Sequence, residues 1–207
     1  MPDQVELEMR KEPRQARSRA LVQSLIDATA RVLTEEGYQA ANTNRIAEVA
    51  GVSVGSLYQY FPGKDALVFA VAREQSERRR ALLVQAMTTT GLDGDIRAMV
   101  QAFVHGMIRA YAETAPIQRA LTEQMLHLGL DHYQRLRMDF EQLLTGWLAL
   151  NRHRVRLRDL GSASFVLFMS VEMTVRGALL FEPSRLHDPA LEAELVDMIV
   201  RYLTDES

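Results

Sequence analysis

Apolar residues return along this chain at steps of three and four, and no stretch alternates with the period of two that a half-buried strand needs. From Ala16 to Glu36 the set Leu21, Leu25, Ala28 and Val32 and the adjacent row Val22, Ile26 and Leu33 form one stripe. That stripe predicts a helix of about five turns. Gly37 follows where a left-handed C-cap is wanted. A short helix is predicted from about Thr43 to Ala50, a break at Gly51, and a second short helix from Ser53 to about Tyr60. Pro62 and Gly63 break the pattern again, and a long helix starts near Lys64 and continues to about Ala86. Beyond Gly91–Gly94, helices are predicted at about 95–113, 117–128, 131–151, 159–181 and 188–204, with Pro116, Gly129, Pro183 and Pro189 as punctuation. The chain is therefore all-α, with small, closely spaced helices up to about residue 64 and a larger apolar bundle after it.

Composition narrows this picture. At 207 residues the chain is long enough to bury a core without staples, and it contains no cysteine for disulfides, thiolate zinc sites or thiol nucleophiles. The segment Met1–Arg19 has no apolar leader-like run, and the most apolar stretch, Ala163–Phe181, is interrupted by Glu172 and Arg176. A cytoplasmic protein with no membrane partner is expected. The 24 basic and 27 acidic residues give a net charge of −3, which on its own argues against a nucleic-acid partner. Counting by segment gives the opposite sign to the N-terminal part. From Arg10 to Lys64 eight basic residues face five acidic ones, whereas from Asp65 onward 16 face 19. Only Lys11 and Lys64 among the 24 basic residues are lysine, a bias most simply read as genome composition.

The informative stretch runs from Thr43 to Leu67, TNRIAEVAGVSVGSLYQYFPGKDAL. Ile46, Ala47, Val49 and Ala50 supply an inner face, Gly51 the backbone freedom of a tight turn, and Val52 a plug between two short helices. Ser53 is a good N-cap, and Leu57 and Phe61 point back into a core at i, i+4 spacing. Val54, Gly55, Ser56, Tyr58, Gln59 and Tyr60 remain outward. A small, polar face of this kind approaches a nucleic-acid groove closely. Lys64 opens the next helix, where its charge and the unpaired N–H groups favour a phosphate.

The run Thr43, Ile46-Ala47, Ala50-Gly51-Val52-Ser53, Gly55, Leu57-Tyr58, Tyr60-Phe61, Lys64, Leu67 resembles the helix-turn-helix signature of TetR/AcrR-family transcriptional regulators. The resemblance covers about residues 17–67. It implies a flexible arm over 1–16, a three-helix DNA-binding domain over 17–64, and a helical domain for effector binding and dimerisation over 65–207. It also implies residue roles. Thr43 holds a phosphate through its hydroxyl and N–H, and Asn44 and Arg45 reach backbone or groove from the same end. Val54, Gly55 and Ser56 lead the recognition helix into the major groove, Val54 toward a thymine methyl and Ser56 toward a base edge. Tyr58 and Lys64 bind phosphate, and Gln59 is the candidate reader of adenine. Tyr60 stands at the groove edge, with packing against the long helix as its alternative. The pair Gln59-Tyr60 departs from the aromatic-His often found there, which bears on base preference. Arg14, Arg17 and Arg19 are placed to run along phosphates; for Arg10 and Lys11 a solvated tail is the alternative.

The bundle beyond residue 64 holds eight of the ten methionines and most of the larger aromatics. Phe103, Met107, Tyr111, Met125, Trp147, Phe168 and Glu172 are the expected lining of an apolar effector pocket. Glu172 and Arg176 stand at i, i+4, which fits a simple intrahelical pair, a polar anchor in the pocket or a pair at a subunit interface. The surplus apolar faces of 159–181 and 188–204 (Leu191, Leu195, Val196, Ile199, Leu203) offer the four-helix homodimer interface that the resemblance implies. A two-fold dimer puts its recognition helices about 34–36 Å apart and so predicts a palindromic double-stranded DNA operator. The five histidines show no metal-ligand spacing, and no nucleophile elbow, P-loop or dinucleotide fingerprint appears. No cofactor and no enzymatic activity are expected. The reading is a ligand-responsive regulator, a repressor released by a small apolar or amphipathic effector. An all-α enzyme or carrier and a helical adaptor are the competing classes.

Overall fold

The computed structural model describes residues 7–90, 94–124, 130–156 and 159–204. Among these the chain is helical throughout, with no strand. The helices are α1 (Ala16–Glu35), α2 (Gly37–Ala40), α3 (Thr43–Ala50), α4 (Val54–Tyr58), α5 (Lys64–Thr90), α6 (Ile96–Glu113), α7 (Ala115–Gln124), α8 (Leu130–Leu150), α9 (Leu160–Phe181) and α10 (Pro189–Leu203), with a 3₁₀ turn at Pro183–His187. Their contacts sort the chain into two compact units, Met1–Ser76 with Pro116–Tyr133 and Glu77–Ala115 with Gln134–Ser207. The break in contacts thus falls inside α5 at Ser76–Glu77, twelve residues beyond the change in character read at Lys64.

In the first unit the stripe of α1 is buried as its spacing requires, with Leu25, Val32 and Leu33 meeting Ile46 and Ala47 of α3, Leu57 of α4, Phe61, and Leu67, Val68 and Val71 of α5. Helix α7 adds Ile117 and Leu121 to the same core, and a buried hydrogen bond from Gln118 Nε2 to Gln75 Oε1 (3.1 Å) ties it to α5. Gly37 does take a left-handed conformation (φ +81°), but it opens the single turn α2 instead of a loop. Within the segment expected to be a flexible arm, residues 7–10 are anchored. Leu7 is only 3% exposed, Met9 packs on the core of this unit, and the Arg10 N–H donates to the Tyr60 carbonyl at 2.8 Å.

In the second unit α6 packs against α9 and α10. Its core joins Leu83 and Met87 of α5, Val104, Met107 and Tyr111 of α6, Phe140, Trp147 and Leu148 of α8, Phe168, Val175 and Leu179 of α9, and Ile199 and Leu203 of α10. Aspartates cap three of these helices: Asp95 accepts from the Arg97 and Ala98 N–H groups, Asp159 from Ser162 and Asp188 from Ala190. Helix α9 is long and apolar enough by length and composition to cross a membrane, yet it carries a buried charged cluster at its middle. Glu172, 2% exposed, accepts from Arg176 and from the Tyr111 hydroxyl (2.7 Å), while Arg79 Nε lies 3.9 Å from its second oxygen. Arg79 also stacks on the Tyr111 ring. The intrahelical pair read from spacing is therefore real, and α5 and α6 extend it into a four-residue network.

Burial pushes the Glu172 carboxyl up, but the charges of Arg79 and Arg176 and the hydrogen bonds from Arg176 and Tyr111 outweigh it, and the net shift is downward. Burial and the Glu172 charge both push the Tyr111 phenol upward. A depressed folded-state value means that the ionised carboxylate stabilises the fold above the ordinary carboxylate value of 4.5, and that this contribution is lost as the pH falls through the folded value. Chemical denaturation of Glu172→Gln should show a loss of about 3–5 kcal/mol at neutral pH, since two guanidinium groups lose their buried counter-charge. The parent should lose stability more steeply than the variant below the ordinary carboxylate range. Parallel acid limbs for the two proteins would contradict this assignment.

Candidate nucleic-acid interface

Helices α3 and α4 are too short to persist alone, and each is fixed by a cap and a buried anchor. The Asn42 side chain accepts from the Arg45 N–H, a cap that the sequence reading missed; it makes Thr43 the first residue of α3. Gly51 sits at φ +69°, a left-handed conformation that a side chain would strain, and Val52 donates back to the Ala47 carbonyl at 3.0 Å. Ser53 caps α4 as expected, accepting from the Ser56 N–H. The Ser53 and Ser56 hydroxyls also share a hydrogen bond of 2.8 Å, so Ser56 presents a hydroxyl already in use within the turn.

The two helices bring part of the predicted set together. The Thr43 and Tyr58 hydroxyls lie 3.1 Å apart, one at the start of α3 and one at the end of α4. The Tyr58 side chain is 41% exposed, Asn44 and Gln59 are exposed, and Val54 is half-buried against the core. At exposed Gly55 a Cβ would meet only Ser53 Oγ, at an ordinary 3.8 Å. Internal packing therefore leaves room for a side chain there.

Tyr60 is a correction. Its sequence position suggests the groove edge, but it is 8% exposed and belongs to the core with Leu57 and Phe61. Tyr60 stands three residues after the buried Leu57 and Phe61 four, both N–H groups donate to the Leu57 carbonyl, and this spacing puts the two side chains on the inward face with Leu57. Arg45, expected to reach backbone or groove, is held by two carboxylates, Glu36 at 2.8 Å and Glu48 at 3.0 Å. The hydrogen bond from Arg45 holds the Glu36 carboxyl below its ordinary range.

Lys64 is the first residue of α5, and its Nζ sits 3.8 Å from the centre of the Tyr38 ring. The Tyr38 hydroxyl donates to Asp65 Oδ1 at 2.6 Å. Burial and then that neighbouring carboxylate push the phenol up to about 12. The sequence reading gives Tyr38 no role. Its partners lie 26 and 27 positions away, beyond any helical spacing that could mark them.

Of the expected effector lining, Phe103, Trp147 and Phe168 do line an apolar space of about 30 Å³ in the second unit, with Met99, Phe140 and Leu148 among its other walls. Met107, Tyr111 and Glu172 do not line it: Met107 and Tyr111 are sunk in the core, and Glu172 is engaged in its ionic network. Met125 lies outside the described residues. The Trp147 indole N–H is buried and has no hydrogen-bond partner among the described residues.

The Tyr38 contacts predict separable effects. Tyr38→Phe keeps the ring beneath Lys64 and removes one hydrogen bond, which should cost about 0.5–1.5 kcal/mol in equilibrium unfolding. Tyr38→Ala removes the ring as well and should cost more. Equal losses in the two variants would show that the ring contributes nothing.

Residues 25–71 match the family described as bacterial regulatory proteins, tetR family, and residues 95–203 match the tetracyclin repressor-like C-terminal domain. The chain is 37% identical over 78 residues to the HTH-type transcriptional repressor Rv1474c of Mycobacterium tuberculosis, covering 38% of this chain and 40% of that protein. It is 31% identical over 114 residues to the HTH-type transcriptional repressor KstR of Rhodococcus jostii, covering 47% and 54%. The matches thus span about half or less of the length of these curated relatives. In fold it is similar to the fatty acid degradation regulator FadR of Bacillus halodurans, with a TM-score of 0.70, 20% identity, and coverage of 86% of this chain and 94% of that one.

Proposed function

The chain belongs to the tetR family of bacterial regulatory proteins, and on that premise we propose that it is a transcriptional repressor that binds a palindromic operator as a homodimer and is released by a small apolar or amphipathic effector. The observation that carries the DNA-binding part is the exposed face of α3 and α4, where the Thr43–Tyr58 hydroxyl pair flanks an unobstructed Gly55. In this reading Gly55 lets the helix backbone sink into the major groove. Thr43, Tyr58 and Lys64 take phosphates, and Gln59 takes a base edge. Asn44 and Val54 complete the contact. Arg45 joins it only by exchanging Glu36 or Glu48 for DNA.

Dimerisation is supported by the apolar residues that α9 and α10 leave uncovered: Phe165, Val166, Phe181 (82% exposed) and Met198. Large exposed side chains on these two helices favour a self-complementary partner. The effector reading rests on the apolar space beside Phe103, Trp147 and Phe168. At about 30 Å³ the space admits roughly one water, so an effector must select a more open packing of these side chains. Release from DNA follows only if that open state binds the operator less tightly.

Binding to a labelled duplex carrying the DNA upstream of the protein's own coding sequence tests the reading. Affinity should exceed that for unrelated duplexes and fall steeply with salt. Gly55→Leu should leave thermal unfolding unchanged or raised, because leucine is the better helix former, yet weaken operator binding by more than about tenfold. Failure of the parent to bind duplex DNA at low salt would overturn the proposal. Transcription from the bound promoter should rise when the gene is deleted; a fall would make the protein an activator.

Sedimentation checks the dimer. Val166→Glu should convert a concentration-stable dimer into a monomer and cost operator affinity with it, and an unchanged dimer would move the interface away from α9.

A further inference from the structure

Arg45 and Lys64 both stand beside acids, and the fold treats the two cations oppositely. Arg45 is paired with Glu36 at 2.8 Å and with Glu48 at 3.0 Å. Lys64 is followed directly by Asp65 in the first turn of α5, yet it makes no ion pair among the described residues. An acid in a first turn favours the helix dipole, so Asp65 serves α5 while threatening to neutralise its neighbour.

Tyr38 engages both. Its hydroxyl donates to Asp65 Oδ1 at 2.6 Å. Its ring lies 3.8 Å from Lys64 Nζ, and its main-chain carbonyl accepts from the same ammonium at 3.5 Å. Adjacent residues do not ordinarily face each other on a helix. Here the ammonium and the carboxylate meet different parts of one tyrosine, which brings them near each other while giving each a separate partner. Burial and then the Asp65 carboxylate push the phenol up to about 12, so it stays a donor throughout the neutral range. None of the four residues of α2 is buried, although Tyr38 packs on the edge of the core. The service of α2 is the placement of this side chain against the start of α5.

We propose that Tyr38 is a positioning residue for DNA binding: its hydroxyl engages the Asp65 carboxylate while its ring cradles the Lys64 ammonium, so that the adjacent acid does not neutralise Lys64 and the ammonium is left for a phosphate. The inference rests on the DNA-binding reading above. It adds two residues that meet no DNA themselves and control a contact made by a third.

The test uses the full-length protein and a labelled random-sequence duplex of about 40 base pairs, titrated from about 50 to 200 mM sodium chloride. Lys64→Gln should lower the slope of log K against log salt by about 0.9 per protomer. Tyr38→Phe keeps the ring but releases the carboxylate, and should lower the slope by about half to all of that amount. Asp65→Asn added to Tyr38→Phe should restore the parental slope, and should gain more affinity there than it gains in the parent. In the Lys64→Gln background Tyr38→Phe should change the slope no further. A purely structural Tyr38 would lower the unfolding midpoint in Tyr38→Phe and leave the slope at its parental value; that result overturns the inference. So does a slope that Asp65→Asn fails to restore, or one that Tyr38→Phe still lowers without Lys64. A parental slope untouched by Lys64→Gln removes Lys64 from the phosphates and this inference with it, while DNA binding itself stands. A parent that binds neither this duplex nor the upstream DNA overturns the underlying reading as well.

Discussion

Helix α4 is five residues long, and an isolated helix in water needs about 12–15 before it is even marginal. Its persistence therefore comes from outside it. Leu57 within α4 and Phe61 just after it are both fully buried, among side chains of α1, α3, α5 and α7. Burying two such side chains is worth about 1.5–3 kcal/mol each, more than the helix could supply through its own hydrogen bonds. Everything on the exposed face inherits its position from these two anchors. The hydroxyls of Thr43 and Tyr58 meet because Leu57 and Ile46 are packed in one core, and Gly55 stands open because the turn before it is closed by Gly51 and Ser53.

The second unit solves a different problem. Its helix α9 is apolar enough to be satisfied in several registers, and apolar packing alone tolerates sliding. Glu172 and Arg176 remove that freedom. The buried carboxylate takes hydrogen bonds from Tyr111 on α6 and Arg176 one turn away on a single oxygen, while its second oxygen lies 3.9 Å from Arg79 Nε on α5 with no hydrogen-bond partner among the described residues. The cluster is costly to bury, and its return is a fixed register of α9 against α5 and α6.

How much of this is legible in the sequence depends on how far each determinant reaches along the chain. Helix positions follow from the spacing of Leu21, Leu25, Ala28 and Val32 and of their counterparts further on, because amphipathic burial leaves its trace within one element. The turn at Gly51 and the cap at Ser53 are legible for the same reason, and Asn42 has the chemistry of a cap one residue ahead of the motif. Long-range pairings are not legible. Tyr38 beneath Lys64, Arg10 on the end of α4 and α7 in the core of the first unit join residues 26 to more than 50 positions apart, with no shared period to mark them. Tyr60 is misplaced when it is grouped with the exposed Tyr58 and Gln59 beside it instead of with Leu57, three residues before it on the same face. Charge counting treats Arg45 as a free cation, although its acids stand nine residues before and three after it.

The return of α7 to the first unit bears on modularity. Pro62 and Gly63 look like a natural seam, and a segment ending there contains every residue of the short-helix pair. Such a segment lacks Leu67, Val68 and Val71 of α5 and Ile117 and Leu121 of α7, all of which close the core on which Phe61 depends. The reading head is thus not a bead that can be cut from its string or grafted at that seam. Recombination between relatives preserves it only when the exchanged pieces bring a compatible α7 from some fifty residues downstream.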